Sequence, residues 1–403
     1  MADTMTALPA HPGLARGPIY LDYNATTPVD PRVADAALPY LTTYFGNPSS
    51  AHGYAAEPRR ALAGAREAVA ALIGAAPGEI VFTAGGSEAD SLAIRGAVLA
   101  SGSPSGARVI TQPTEHPAVL QVCAALARLH RAEVSYLPVG GDGRVDPSSL
   151  AAAITPRTVL VSVMTANSET GVLQPIRALA AVARERGVLF HTDAAQAAGK
   201  IGIDVNDLGV DLLTVVGHKM YAPKGIGAHY VRAGVPLEPL IYGGGQERGL
   251  RAGTENLALA VALGEAARLA AAELASGGPQ RLRELRDLLH RRLEEPLPGL
   301  VRLNGHPERR LPGPLNVSIT GVRGDQVLPA APAVAAATGS ACHAGSADPS
   351  PVLLAMGCDH DRAASALRLT LGRWTTREEA ETVAAEIAAA VRRLRSGRPH
   401  GTR

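Results

Sequence analysis

The sequence predicts an α/β protein with a mostly parallel seven-stranded sheet in a large domain, beside a smaller α+β domain. Three observations predict it. Between residues 80 and 231, short apolar runs alternate with helical patterns. After about residue 262 this alternation gives way to a long Ala, Leu and Arg helix and a different texture. Polar residues of reactive types stand just past the ends of the apolar runs, where open parallel sheets place their ligands.

In chain order the strand-like runs are "EIVFT", "RVITQ", "EVSYL", "TVLVSVM", "VLFHT", "DLLTVV" and "GAHYV". Between them "EADSLAIRGAVLA", "AVLQVCAALARLH" and "IRALAAVARERG" carry apolar residues at helical spacing. Strands that are apolar almost throughout belong to sheets covered on both faces. Further on, "RLRELRDLLHRRLEE" reads as a helix and "PLNVSI" as a strand. A Gly- and Ser-rich loop around Cys342, the strand-like "ALRLTLGR" and a final helix follow. "PIYLDYNATTPVDP" reads as joining this second part, so the large domain is placed at 30–261 and the small one at 1–29 plus 262–403. "MADTMTALPAHPGLARGP" never builds a sustained apolar core and reads as a loose leader rather than a signal peptide.

Composition narrows the function classes. A net charge of +2 and 3% aromatic residues leave neither a basic stripe nor stacking platforms, so nucleic acid is not an expected partner. No run approaches the roughly 18 apolar residues of a membrane helix. Three cysteines, Cys123, Cys342 and Cys358, are too few for a disulfide framework, and a reducing cytoplasm is expected. Cys358 and His360 lack a four-ligand spacing, so no metal site is expected.

Lysine is the informative residue type. Of the 39 basic residues only Lys200, Lys219 and Lys224 are lysine. Arginine serves for surface charge here, whereas only a lysine can lose its proton and become a nucleophile. Lys219 ends the apolar run "DLLTVV" in "GHK". Four other strand exits offer Ser87, His116, Asn167, and Asp193 with Gln196 to the same rim. In "TAGGSEAD", Gly85 and Gly86 permit a tight turn, and Ser87 reads as an N-cap with Asp90 completing a capping box. The start of such a helix can seat a phosphate, although the same residues also make an ordinary turn. Pyridoxal phosphate needs a phosphate seat, a lysine for its aldehyde and an acid for its ring nitrogen, and Lys219 and Asp193 are the candidates for the last two. Taken singly, Asp193 also reads as a helix cap, Lys219 as an ion-pair partner, His116 as a structural histidine and Arg368 as a surface arginine.

The motifs "YLDYNATTP", "FGNPSS", "GGSEAD", "TEHPAV", "NSETGV", "HTDAAQ", "GHKMYAPKG", "GGGQERGLRAGTEN", "GSACHAG" and "LRLTLGR" occur in order along nearly the whole chain. With them the chain resembles the cysteine desulfurase and selenocysteine lyase family, class-V aminotransferase-like enzymes of pyridoxal-phosphate fold type I. The resemblance implies a homodimer with one pyridoxal 5'-phosphate per subunit. Lys219 would link the cofactor, Asp193 would pair with its ring nitrogen, and Gln196 would bond its ring hydroxyl. His116 would stack on the ring and assist proton transfer. Gly86, Ser87 and His218 would hold the phosphate, with Thr254 reaching in from the partner subunit. Asn167 and Arg368 would take the substrate carboxylate, and Cys342 would be the nucleophile. The expected reaction converts L-cysteine to L-alanine and an enzyme-bound persulfide, whose sulfur passes to an acceptor protein such as an iron–sulfur scaffold. "TVVGHK", "GGGQERG", "SACH" and "PSPVLL" look closer to the selenocysteine lyase branch, making L-selenocysteine the alternative substrate. An aminotransferase and a non-catalytic sulfur-relay scaffold rank lower. Val216 stands where many desulfurases have a phosphate-binding serine, and it cannot donate a hydrogen bond.

Overall fold

The computed structural model describes residues 8–339 and 348–397. The first strand, β1 (Ile19–Tyr20), lies outside the main sheet. The seven apolar runs form seven strands: β2 (Ile80–Thr83), β3 (Arg108–Thr111), β4 (Glu133–Tyr136), β5 (Thr158–Ser162), β6 (Leu189–Asp193), β7 (Leu212–Val216) and β8 (Gly227–Val231). They make one sheet in the order β2-β8-β7-β6-β5-β3-β4. Only β8 runs antiparallel to its neighbours, β2 and β7.

Side-chain alternation explains why these runs are apolar throughout. On β7, Leu213 and Val215 join one buried cluster while Leu212 joins another across the sheet. On β2, Ile80 and Phe82 face the first cluster and Val81 the second. Successive side chains of a strand point to opposite faces, and helices cover both here, so neither face tolerates a run of polar residues.

A second, antiparallel sheet is built from β9 (Val301–Leu303), β10 (Pro314–Ile319) and β12 (Ala366–Thr370), with β10 central. Helices Gly278–Glu294 and Arg377–Arg395 supply Leu285, Leu289, Val383 and Ile387 to the core that buries Val317, Leu367 and Leu369. The N-terminal segment belongs to this part in its pairing: β1 lies parallel to β11 (Val334–Ala335), and Asp22 bridges to Thr370. The chain then crosses to the rim of the large sheet, where the Thr27 N–H and hydroxyl donate to the His218 carbonyl at 2.9 and 3.1 Å.

The leader corrects one expectation. Trp374 Nε1 donates to the Pro9 carbonyl at 2.8 Å, His11 lies edge-on to the Trp374 ring, and His11 Nε2 bonds the Val29 carbonyl at 2.9 Å. Residues 9–11 are thus docked rather than loose, held by an aromatic contact that apolar periodicity does not register.

Candidate active site

Five strands deliver their C-terminal ends to one rim, as parallel topology requires. Below it lies a cavity of about 260 Å³ lined by His116, Asp193, Gln196, His218, Lys219 and Arg368 among others. That is near the lower end of small-molecule sites, roughly 300 Å³.

Lys219 is placed by the turn Gly217–Lys219 that ends β7. A Cβ on Gly217 would stand 2.8 Å from Ile226 Cγ2 and 2.9 Å from the Ile226 carbonyl, so only glycine permits this close return of the chain. Two residues on, Tyr221 adopts φ +64°. That unusual conformation is held by its N–H donating to Thr27 Oγ1 and by its hydroxyl accepting from the Arg373 N–H. The Lys219 ammonium donates to the carbonyls of Asn24 and Ala25 at 2.6 and 2.7 Å. Carbonyls can be given up for a covalent partner without leaving a buried carboxylate unpaired.

Asp193 closes β6, is 6% exposed and accepts from the Ala195 N–H at 2.8 Å. Burial pushes its carboxyl above the usual range, while that bond, His116 and Lys219 pull it back. His116 caps the helix Pro117–His130 by accepting from the Ala118 N–H at 3.1 Å, and it also lines the cavity. The structural and functional readings of this histidine therefore coexist. Burial lowers its pKa, and Asp193 opposes the shift. His218 is pushed down to about 4 by burial and then by the lysine charges nearby, which leaves it a neutral hydrogen-bonding ring; its Nδ1 lies 3.1 Å from Thr26 Oγ1.

The helix Gly86–Ala100 starts differently from the capping box expected. Its N-cap is Gly85, at φ 149°, with no side-chain cap. Ser87 sits within the first turn, and Glu88 rather than Asp90 reaches back, accepting from the Ala84 N–H at 3.1 Å. Asp90 is instead buried in the cavity wall, its Oδ1 without a hydrogen-bond partner. A helix start with no side chain over its N–H groups remains open to an anion. Gly86 is needed there, since a Cβ would stand 2.6 Å from Val216 Cγ2. Val216 therefore packs against the helix start.

Arg368 reaches the cavity from the middle of β12 and is 1% exposed. Its Nη2 donates to Asp22 Oδ1 at 2.7 Å, and its Nε has no partner. Gln196 is held between neighbours, donating from Nε2 to the Asn24 carbonyl at 3.0 Å and accepting at Oε1 from Lys200 at 2.8 Å.

Two expected site residues are not brought to the cavity wall, and a third lies outside the described residues. Asn167 is buried with its amide committed: Nδ2 donates to the Thr114 carbonyl at 3.0 Å, and Oδ1 accepts from the N–H groups of Glu169 and Thr170. It fixes the loop that carries Met164, Ala166 and Ser168 into the lining. Thr254 is exposed and outside the cavity. Cys342 lies outside the described residues.

Other wall-building residues carry no assignment from the sequence. Glu115 accepts from the Met164 N–H at 2.7 Å and from Gln112 at 2.8 Å, and burial pushes it up to about 8. Asp22 and Asn24 lie inside the motif "YLDYNATTP", whose individual residues give no sign of which side chain points inward. Lys200 did have a signal, the scarcity of lysine itself.

Pyridoxal 5'-phosphate fits what is present. An amine at the rim suits its aldehyde, a buried carboxyl its ring nitrogen, and an uncapped helix start its phosphate. Arg368 Nε and Asp90 Oδ1 make no hydrogen bond, the latter having His191 Nε2 at 3.7 Å, which leaves polar capacity in the wall for a polar occupant. Among the described residues no group of three or more His, Cys, Asp or Glu side chains could hold a metal, and no helix is long and apolar enough to cross a membrane.

Comparison with known proteins agrees with this geometry. Residues 19–383 match the family described as aminotransferase class-V. The chain is 46% identical over 401 residues to a cysteine desulfurase of Pongo abelii, covering 99% of this chain and 86% of that protein. It is 47% identical over 385 residues to the cysteine desulfurase IscS of Anaeromyxobacter dehalogenans, covering 95% and 94%. Among solved structures it superimposes on a NifS-like protein with TM-score 0.85 at 33% identity, covering 93% of this chain and 99% of that one. A structure titled SspA in complex with cysteine gives TM-score 0.77 at 36% identity, covering 89% and 99%. On the matched span and these identities, the chain belongs to the cysteine desulfurase family of class-V aminotransferases.

Proposed function

We infer that this protein is a pyridoxal-phosphate-dependent cysteine desulfurase, converting L-cysteine to L-alanine and leaving the sulfur as a persulfide on Cys342. The observation that carries the reading is the convergence of Lys219, Asp193, His116 and Arg368 on one cavity. When bound, the cofactor supplies an aldehyde that captures amines and a ring that accepts electrons from the substrate's α-carbon. The protein's residues then have separable tasks. Lys219 holds the cofactor and moves the α-proton at Nζ. Asp193 keeps a proton on the ring nitrogen. Gln196 would hydrogen-bond the ring hydroxyl, and His116 would stack on the ring and assist proton transfer. Gly86, Ser87 and His218 hold the phosphate, with backbone N–H groups taking the load that Val216 cannot. Arg368 binds the substrate carboxylate, and Asn167 acts there only if it releases part of its present hydrogen bonding. Overall the Cys342 thiol and L-cysteine become a persulfide and L-alanine, with one sulfur atom transferred and no external oxidant.

The same reading includes a homodimer. Exposed Leu41, Phe45, Tyr54 and Tyr242 give apolar surface for it, and Thr254, exposed and away from its own cavity, would serve the partner's phosphate. It also includes the domain division at residues 30–261, a cytoplasmic location and an acceptor protein such as an iron–sulfur scaffold. The selenocysteine alternative has less support, since the curated relatives at 45–47% identity are named cysteine desulfurases. Mass spectrometry after incubation of the loaded protein with L-cysteine tests the central role. One added sulfur atom is expected on the peptide containing Cys342, and Cys342→Ser should retain cofactor absorbance while losing sulfur release. Full desulfurase activity in that variant would exclude the assignment.

A further inference from the structure

Lys200 is a buried-site lysine to which the reaction above gives no task. It lies four residues after Gln196 in a tight helical turn in which the N–H groups of Lys200 and Ile201 both donate to the Ala197 carbonyl, so both side chains share one face. The residue as a whole is half-buried, and burial is the largest cause of its lowered pKa. Nζ donates to Gln196 Oε1 at 2.8 Å and to Asn24 Oδ1 at 3.2 Å. Neither partner is a carboxylate, so this is not an ion pair.

The Gln196 amide thus stands between two neighbours of opposite capacity. A charged lysine can only donate, and the Asn24 backbone carbonyl on the other side can only accept. The two ends of a glutamine amide are nearly equal in size, so hydrogen bonding rather than shape decides which end faces where. Lysine at 200 selects the orientation with the N–H donors away from it. An ionised ring hydroxyl on the cofactor needs a donor; a flipped amide would present its oxygen to that anion.

We propose that Lys200 is a positioning residue that locks the Gln196 amide so that its N–H not bonded to the Asn24 carbonyl is directed at the cofactor's ring oxygen. The inference rests on the cofactor-binding reading above. The groups facing Lys200 are consistent with a role tied to an anion. Burial, followed by the charges of Lys219 and Arg368, pushes it down to about 7. His218 feels the Lys200 charge as well, and the Arg368 charge is itself paired to Asp22. The phosphate and ring oxygen of a bound cofactor are anionic and favour the charged, donor-only form.

A donor on the ring oxygen draws off negative charge that would otherwise retain the proton on the lysine-linked nitrogen, so losing it raises the pH at which that proton leaves. The test is a spectroscopic pH titration of the protein loaded with pyridoxal 5'-phosphate, with cofactor affinity measured alongside. Lys200→Met is expected to raise the absorbance midpoint by about one pH unit and to weaken cofactor binding on the order of tenfold, the scale of one charge-assisted hydrogen bond. Lys200→Arg, which keeps the charge and the donors, is expected to return the midpoint toward wild type. In a Gln196→Ala background, Lys200→Met should move the midpoint far less. An unchanged midpoint in a folded Lys200→Met, or an equal shift in both backgrounds, overturns the proposal. A wild-type protein that develops no visible absorbance would instead defeat the cofactor reading itself.

Discussion

Arg368 Nη2 donates to Asp22 Oδ1 at 2.7 Å, across the line where the N-terminal segment crosses between the two sheets. The pair is buried on the arginine side, with Arg368 Nε left unpartnered. The guanidinium is therefore partly committed before any substrate arrives, and an incoming carboxylate must share it with Asp22. Burial raises the Asp22 pKa and Arg368 opposes that rise, so the two residues form a poised pair rather than a saturated one.

Replacing Arg368 with Lys keeps the charge but loses the planar fork. Steady-state kinetics should show KM for L-cysteine raised about tenfold or more, with a smaller change in kcat. Asp22→Asn should change KM in the opposite direction by removing the competing charge. Unchanged KM in both variants would remove Arg368 from carboxylate recognition.

Gly217→Ala tests the turn that presents the reactive lysine. The added methyl would meet Ile226 at 2.8 Å, and the neighbour is a packed side chain plus backbone. A loss of about 1–3 kcal/mol of stability is expected in denaturant titrations, together with weaker cofactor loading.

His229, in β8 between β2 and β7, is buried with no well-formed hydrogen bond at either ring nitrogen. Burial depresses its pKa to about 3. The unfolded chain takes up a proton near pH 6.5 where the folded one does not, so this residue's contribution to stability falls as pH drops from about 6.5 toward 3. His229→Leu removes that loss. The variant's stability relative to wild type should improve by about 2 kcal/mol between pH 8 and pH 5 in paired denaturant titrations. A pH-independent difference would show that His229 is not buried in its neutral form.

Asp193→Asn should leave the fold intact and reduce kcat by at least about a hundredfold, because a neutral amide cannot hold the ring-nitrogen proton. Circular dichroism and turnover measured together check this.

The large sheet was legible because its strands must be apolar on both faces: every one of the seven runs became a strand, and four of the five strand exits supply residues to the cavity wall, Asn167 being the exception. Less was legible where a residue's task depends on a distant partner. Asp90 fits a capping-box pattern, yet Glu88 takes the backbone contact and Asp90 turns inward, since local spacing does not encode which carboxylate faces a cavity. Asn24 and Asp22 act on residues far along the chain, at Lys200, Lys219 and Arg368. The docking of Pro9 and His11 on Trp374 likewise depends on a partner more than 360 residues away. Lys200 was detectable by scarcity alone, but its task emerges only from the geometry of Gln196.

The scarcity of lysine also makes the central claim directly measurable. Borohydride reduction of the protein loaded with pyridoxal 5'-phosphate fixes the cofactor to whichever amine holds it, and peptide mapping then has only Lys200, Lys219, Lys224 and the N-terminus to distinguish. The account predicts the label on the peptide containing Lys219. Label on Lys200 or Lys224, or no stable label, would contradict it.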